Sequence, residues 1–397
     1  MSVHAAAASR LVLEVFSEET VANAARSALQ ELGGEATLGF VFASVDYRPH
    51  LDDLLELLTL HGHVPHLLGC CGSGLIGTGM EIEKAIGFSL LLLHLPETKL
   101  HFCEISTDDA ASLDTPEEWH AFTGAAPDEV ESWIALIDPF GFPIEPWLEG
   151  WNRAYPGIPM IGGLSSNPHT DAEAEEVFVT HNREILPPSS AMLIGFKGGI
   201  QVRSVLAQGC RPIGEPLTIT GTNGNLLLRL GGKKAYSALA EAFEGLSDEE
   251  KASAQGNLFA GLASSEYIDE FALGDFLIRS ILGADASSGS VALGAQLRVG
   301  QSLQWQLRDA ASAMRDLDTR LAREKKNGPP PFASLVFSCH GRGEELFGKG
   351  GYDADALKKT FGPLPSAGLF CNGEISPIRE QNYIHGYTAS IALFTRA

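Results

Sequence analysis

The residue types best suited to chemistry gather in the C-terminal third of the chain. SCHGRGEELFGKGG (338–351) sets Cys339, Arg342 and Glu344 among glycines at the end of an apolar stretch, and GLFCNGEISPI (368–378) does the same with Cys371, Asn372 and Glu374. His385 follows in NYIHGYT. Glycine-rich strand ends leave backbone N–H groups free to receive a carboxylate, a guanidinium binds one bidentately, and a glutamate takes an ammonium group. Together these parts suit a small zwitterion such as an amino acid, with Arg342 on the carboxylate, Glu374 on the ammonium, and Asn372 and His385 orienting the ligand. The plainer alternative pairs Arg342 with Glu344 or Glu374 to hold two loops together. Arg211, in QGCRPIGEP, is a weaker companion: Pro212 disfavours helix there and leaves the guanidinium on a turn.

A second concentration lies at LLGCCGSGLIGTGMEIE (67–83). Gly72, Gly74 and Gly77 spell G-x-G-x-x-G, with Glu97 twenty residues beyond, as a dinucleotide loop would have. The loop is preceded by a helix, however, and opens onto TGMEIEKAIG, a segment short for the required crossover helix, so the spacing is expected to be a coincidence of dense glycine and no cofactor is expected. His61, His63 and His66 with Cys70 and Cys71 are residue types zinc accepts, but their spacing fits no finger geometry and Gly62 and Pro65 suggest a turn, so no metal site is expected. Cys71 and Glu81 stay in view as pocket residues.

Thiol catalysis has a tempting pair in Cys339 and His340. Adjacent strand residues point to opposite faces, which would leave His385 as the base. No G-x-S-x-G elbow occurs, and six cysteines without a C-x-x-C read as small, reduced, buried side chains.

The elements that must position these residues recur. LGFVFASVD (38–46), a helix over LDDLLELLTLHG, HLLGCCGSG and FSLLLLHL make one set. WIALIDPF (133–140), IEPWLEGWNRAY, IPMIGGLSSN, then VFVTH and SAMLIGF make a second, and SLVFSCH (334–340), DADALKKTFG, SAGLFCNGEI and GYTASIALF a third. Strand starts at 38, 133 and 335 precede a loop glycine at 69, 162 and 368 by 31, 29 and 33 residues. This predicts a β-α-β-loop-β unit used at least three times, with 276–308 as part of a degenerate fourth. The fold class is α/β, in two domains of mixed β-sheets with flanking helices. Ser17 caps a helix that Gly33 and Gly34 end, and Trp147 and Trp151, four apart, form one face of a helix packed on the core. GTNGNLLLRLGG (221–232) suggests a boundary, dividing the chain into an N-terminal helix (1–36), a first domain (37–231) and a second (232–397).

Composition narrows the partners. Lys plus Arg number 28 against 50 Asp plus Glu, a net charge of −22, so neither nucleic acid nor an anionic membrane is an expected partner. Apolar runs fall short of the roughly 20 residues that span a bilayer, and the N-terminus lacks a basic signal-like region. A cytoplasmic protein is expected.

Taken in order, GCCGSGLIGTGMEIE, GGLSSN, QGCRPIGEPLTITGTNGNLLLRLGGKKA, SCHGRG, LPSAGLFCNGEISPI and NYIHGYTASIALF resemble the FIST family, with its N-terminal and C-terminal domains, from about residue 37 onward. The resemblance implies a sensory or scaffolding module of signal transduction that binds small ligands such as amino acids, and in ubiquitin-ligase adaptors recruits protein substrates. One helix before residue 37 leaves no room for an F-box, and no output segment follows Ala397, so a separate output partner is expected. The leading expectation is a non-catalytic sensor of a small polar ligand. A protein-interaction scaffold and a thiol-dependent enzyme or redox sensor are the alternatives.

Overall fold

Strands buried on both faces read as unbroken apolar runs, and LGFVFA and SWIALI are two such runs. In the computed structural model, which describes residues 4–168, 177–264 and 274–397, they form the wholly buried strands Leu38–Ala43 and Ser132–Ile137. Each pairs in parallel with the strand that follows its helix: Leu38–Ala43 with Leu67–Cys71, Ser132–Ile137 with Met160–Leu164, and Pro331–Cys339 with Ser366–Cys371. The three pairs share a feature. Gly69 sits in register with Val41, Gly162 with Ala135 and Gly368 with Val336. A β-carbon at these positions would stand 2.4, 2.0 and 2.1 Å from the partner's carbonyl oxygen. The regular glycine spacing is therefore a steric requirement of the strand pair, repeated three times. Gly162→Ala should cost about 1–3 kcal/mol, the usual scale of overpacking, read as a lower denaturant midpoint; an unchanged midpoint would show that the pair can part without cost.

Each repeat is longer than the sequence pattern suggests. A leading strand and helix come first: Ala6–Val12 and Glu18–Leu32; Lys99–Ile105 and the short helices Thr107–Ser112 and Pro116–Thr123; Ile200–Gln208 and Ala310–Asn327. The parallel pair, a hairpin and a closing antiparallel strand follow: Phe88–His94, Ala191–Lys197 or Thr388–Arg396. The hairpins do not stay at home. Gly74–Gly77 and Met80–Glu83 of the first repeat extend the third sheet, Val179–His181 and Glu184–Ile185 of the second extend the first sheet, and Glu374–Ile378 and Gln381–His385 of the third extend the second sheet. Three six-stranded mixed sheets result, each completed by its neighbour in a cycle.

Strand alternation then sorts the side chains. Phe40, Phe42, Ile134, Leu136, Leu335 and Phe337 meet in one central core, while Val41, Ala43, Trp133, Ala135 and Ile137 face outward onto helices. Ser17 accepts a hydrogen bond from the Thr20 N–H to start the first helix. Trp147 and Trp151 are buried under Ile144–Ala154, as their spacing predicts.

Two compact units divide the chain: residues 1–206, 317–384 and 388–397 hold the three repeats, and 207–316 with 385–387 form the second unit. The boundary expected at 231/232 falls inside the second unit, which interrupts the third repeat between its leading strand and most of the following helix. Segment 276–308 is not a fourth repeat. It supplies Phe276–Asp285, Ser290–Leu293 and Ser302–Arg308 to a seven-stranded antiparallel sheet, in which Cys210–Asn223 also pairs with Leu226–Leu230 and so closes the sheet on itself. Among the described residues the strands of this sheet pair antiparallel, without the parallel strands joined by a helical crossover that mark the repeats. No helix among the described residues is long and apolar enough to cross a membrane.

Candidate functional site

Each parallel pair ends in a glycine- or serine-rich turn, and in the first unit the three turns bond to one another. The Ser73 N–H donates to Ser166 Oγ (2.8 Å) and to the Phe370 carbonyl (3.1 Å), and Ser166 Oγ donates to that same carbonyl (2.6 Å). The Ser166 N–H reaches the Cys71 carbonyl, the Asn372 N–H the Leu164 carbonyl, and the Leu164 N–H the Gly373 carbonyl. The sequence leaves open whether the repeated loops make one site or several; they meet at one place. Asn372 and His340 are exposed there, Ser73 and Asn167 half-buried, and the His340 N–H is held by the Cys371 carbonyl at 2.9 Å. Ser166, whose hydroxyl ties two loops together, was not singled out by the sequence; the serine pair in GGLSSN, matching the turns of GCCGSG and FCNGE, is the signal that points to it.

Behind Asn372 lies a buried polar cluster. Arg342 is 0% exposed and its fork is filled by Asp353, with Nε at 2.9 Å and Nη2 at 2.8 Å. Ser338 Oγ donates to the same carboxylate at 2.8 Å. This corrects the expectation that Arg342 clamps a ligand carboxylate, and also the alternative partners Glu344 and Glu374: helix Tyr352–Phe361 delivers the acid from eleven residues away. Asp353 carries no sequence signal of its own, since an acid in a helix's first turn is ordinarily explained by the helix dipole. Arg342 Nη1 has no hydrogen-bond partner, and the guanidinium stands 5.2 Å from the centre of the Phe347 ring.

Glu374 is equally buried and equally engaged. Its Oε2 accepts from Thr388 Oγ1 (2.7 Å) and the Thr388 N–H (3.2 Å), and its Oε1 from Cys371 Sγ (3.2 Å). It is thus no open ammonium receptor. Burial pushes its pKa up to about 8 against the pull of Thr388, Cys371 and Arg342. Glu81 accepts from the N–H groups of Gly351 and Ala354, capping helix Tyr352–Phe361 from another repeat's hairpin. Burial and the nearby Asp353 carboxylate raise it to about 8 as well. One arginine thus faces three acids: Asp353 fills its fork, and burial favours the protonated form of the two glutamates.

The remaining expected residues disperse. Glu344 is exposed, its own N–H bonded to Glu83. Arg211 belongs to the second unit, ion-paired with Glu250 and, at 3.7 Å, with Asp309. His385 is buried and falls in that unit too, not among the converging loops. Cys339 is buried below exposed His340, so the adjacent pair diverges as strand geometry requires. Cys70 and Cys71 likewise point to opposite faces, into different cores. Burial pushes the Cys71 thiol up to about 12 and raises Cys70 and Cys371 as well, which disfavours the thiolate at these three positions. The G-x-G-x-x-G stretch forms the exchanged hairpin Gly74–Gly77 and Met80–Glu83, where a dinucleotide loop would open a helix.

The FIST N domain matches residues 37–233 and the FIST C domain residues 235–377. The chain belongs to the FIST family. The seam between the two family domains lies beside the boundary at 231/232. An uncharacterized protein of Mycobacterium tuberculosis is 32% identical over 376 residues, spanning 94% of this chain and 95% of that one, and an uncharacterized protein of Mycobacterium bovis is 33% identical over 378 residues, 95% of each. A crystal structure of a cyanuric acid hydrolase from A. caulinodans aligns over 99% of both chains at 9% identity with a TM-score of 0.36, a likeness too loose to bear on chemistry. FIST domains are small-ligand sensory domains of signal transduction, and in this member the converging loops offer exposed Asn372 and His340 with half-buried Ser73 and Asn167.

Proposed function

We propose that this FIST protein is a non-catalytic cytoplasmic sensor that receives a small polar ligand, such as an amino acid, where the three strand-end loops meet. The observation that carries the reading is the closure of those loops on one another through Ser166, with Asn372 and His340 presented outward. Asn372 offers both a donor and an acceptor, His340 an imidazole ring, and Ser73 a hydroxyl. Arg342, Asp353, Glu374 and Glu81 form the rigid floor and touch no ligand directly. Because each loop comes from a different repeat, a ligand bridging them would couple three sheets, and that altered stability is what a separate protein partner would read.

Thermal-shift screening of the full chain against amino acids and nucleotides tests this. A ligand at about 100 times its dissociation constant stabilises by about 2.7 kcal/mol. Asn372→Ala and His340→Ala, both at exposed positions, should keep the wild-type melting temperature and lose most of that shift. If no compound moves the wild type, or the variants respond equally, the site assignment is wrong.

A further inference from the structure

Two helices of the third repeat end at one place, and lysines crowd it. Ala310–Asn327 carries Lys325 in its last turn, and Tyr352–Phe361 carries Lys358 and Lys359. A cavity of about 460 Å³ is lined by these three lysines together with Phe361, Pro330 and Pro331, all within the first unit. That volume lies within the range of small-molecule sites. Among the described residues no acid lines the cavity, in a chain where acids outnumber lysine plus arginine by 50 to 28. Glu324, the acid next to Lys325, is ion-paired with Arg203.

Helix ends by themselves attract cations, so the charge must be counted. Each C-terminus presents roughly half a negative charge, and two of them balance about one lysine of the three. That one is Lys325, whose Nζ donates to the Thr360 carbonyl at 2.5 Å and ties one helix end to the other. Lys358 and Lys359 are exposed and have no hydrogen bond or ion pair among the described residues. Roughly two positive charges therefore border the cavity without an internal counter-charge. We propose that the cavity binds a small phosphate ester that carries at least two negative charges and a flat ring. The phosphate oxygens accept from Lys358 and Lys359, which act as point charges, and the ring lies against half-buried Phe361 and Pro331. A monoanion would meet only half of the surplus, while the net charge of −22 repels it from the rest of the surface. The site shares no residue with the converging loops and stands independently of their function.

ADP is the probe, titrated calorimetrically into the full chain at low salt without divalent metal. Saturable binding at one site is expected, weakening as salt screens the exposed charges. Lys358→Gln with Lys359→Gln, both at exposed positions, should keep the wild-type melting temperature and weaken ADP about tenfold or more, the scale of two exposed ion pairs lost together. Lys233→Gln with Lys234→Gln, two exposed lysines of the second unit, should leave ADP binding unchanged, as should Asn372→Ala in the converging loops. Adenosine, which has the ring without the phosphates, should not bind, and pyrophosphate, which lacks the ring, should bind more weakly than ADP. Phe361→Ala should narrow that gap. No saturable ADP binding, adenosine or pyrophosphate equal to ADP, a Lys358→Gln and Lys359→Gln protein that binds as wild type does, or an equal loss in the second-unit lysine variant would overturn the assignment.

Discussion

Asp353→Ala is expected to remove about 3–5 kcal/mol of folding stability. The substitution leaves Arg342, which is 0% exposed, with its Nε and Nη2 donors unpaired in addition to Nη1. Ser338 Oγ loses its acceptor too. A buried charge stripped of its partner pays the desolvation penalty without the offsetting attraction, whereas removing both charges together does not. The double variant Arg342→Met with Asp353→Leu should therefore regain most of the loss. Urea unfolding followed by tryptophan fluorescence reads this well, because four of the five tryptophans lie in the first unit. A single-variant loss below about 1 kcal/mol, the scale of an exposed ion pair, would show that water reaches the guanidinium.

Stability of the first unit is expected to fall as pH rises from about 5 to about 8. Glu374 and Glu81 both have an ordinary pKa of 4.5 and are pushed to about 8 in the folded chain. Below about 4.5 both states hold the protons and the two glutamates are neutral to stability. Between the two values the unfolded chain releases protons that the folded chain keeps, so unfolding gains on folding as pH rises; above about 8 the effect levels off. The loss is of the order of a few kcal/mol across that window. Carboxylates held below their ordinary range, such as Glu118, Glu129 and Glu131, lose their contribution only at lower pH. Burial lowers the pKa of His66 and His101, which favours folding as pH rises towards their ordinary 6.5 and so opposes the slope. Glu374→Gln isolates the glutamate: the isosteric amide needs no proton, so the variant should be more stable than wild type at pH 8, with the difference shrinking towards pH 5. A variant with the wild-type slope would place the proton elsewhere.

The sensor reading and the buried cluster fit together physically. The hairpins carrying Glu81 and Glu374 both belong to sheets other than their own repeat's, and both acids lie near the single arginine of the cluster. A ligand bridging Ser73, Asn167 and Asn372 would press on the same loops that end in these hairpins.

Much of the local structure was legible in the chain. Unbroken apolar runs marked the doubly buried strands, Ser17 and Gly33 marked the ends of the first helix, and glycine at 69, 162 and 368 marked the parallel pairs. These are short-range matters of sterics, capping and burial, and the ordered glycine-rich motifs were enough to indicate the family. Arg342 was placed at the end of one strand and Asn372 and Glu374 at the end of another, and those strands pair in parallel, yet the residues' roles were not readable. Whether a guanidinium meets a ligand or Asp353 depends on where helix Tyr352–Phe361 comes to rest, and spacing along the chain does not encode that.

Tertiary structure alone decided the exchange of hairpins, the meeting of three loops at Ser166, and the second unit inside the third repeat. A hairpin such as Gly74–Glu83 satisfies its own ladder wherever it goes, and pairs with whichever strand edge lies open, here Ser366–Cys371 of another repeat. That choice is made by the closing of the whole cycle around the central core, a property of three sheets together and of none of their sequences singly.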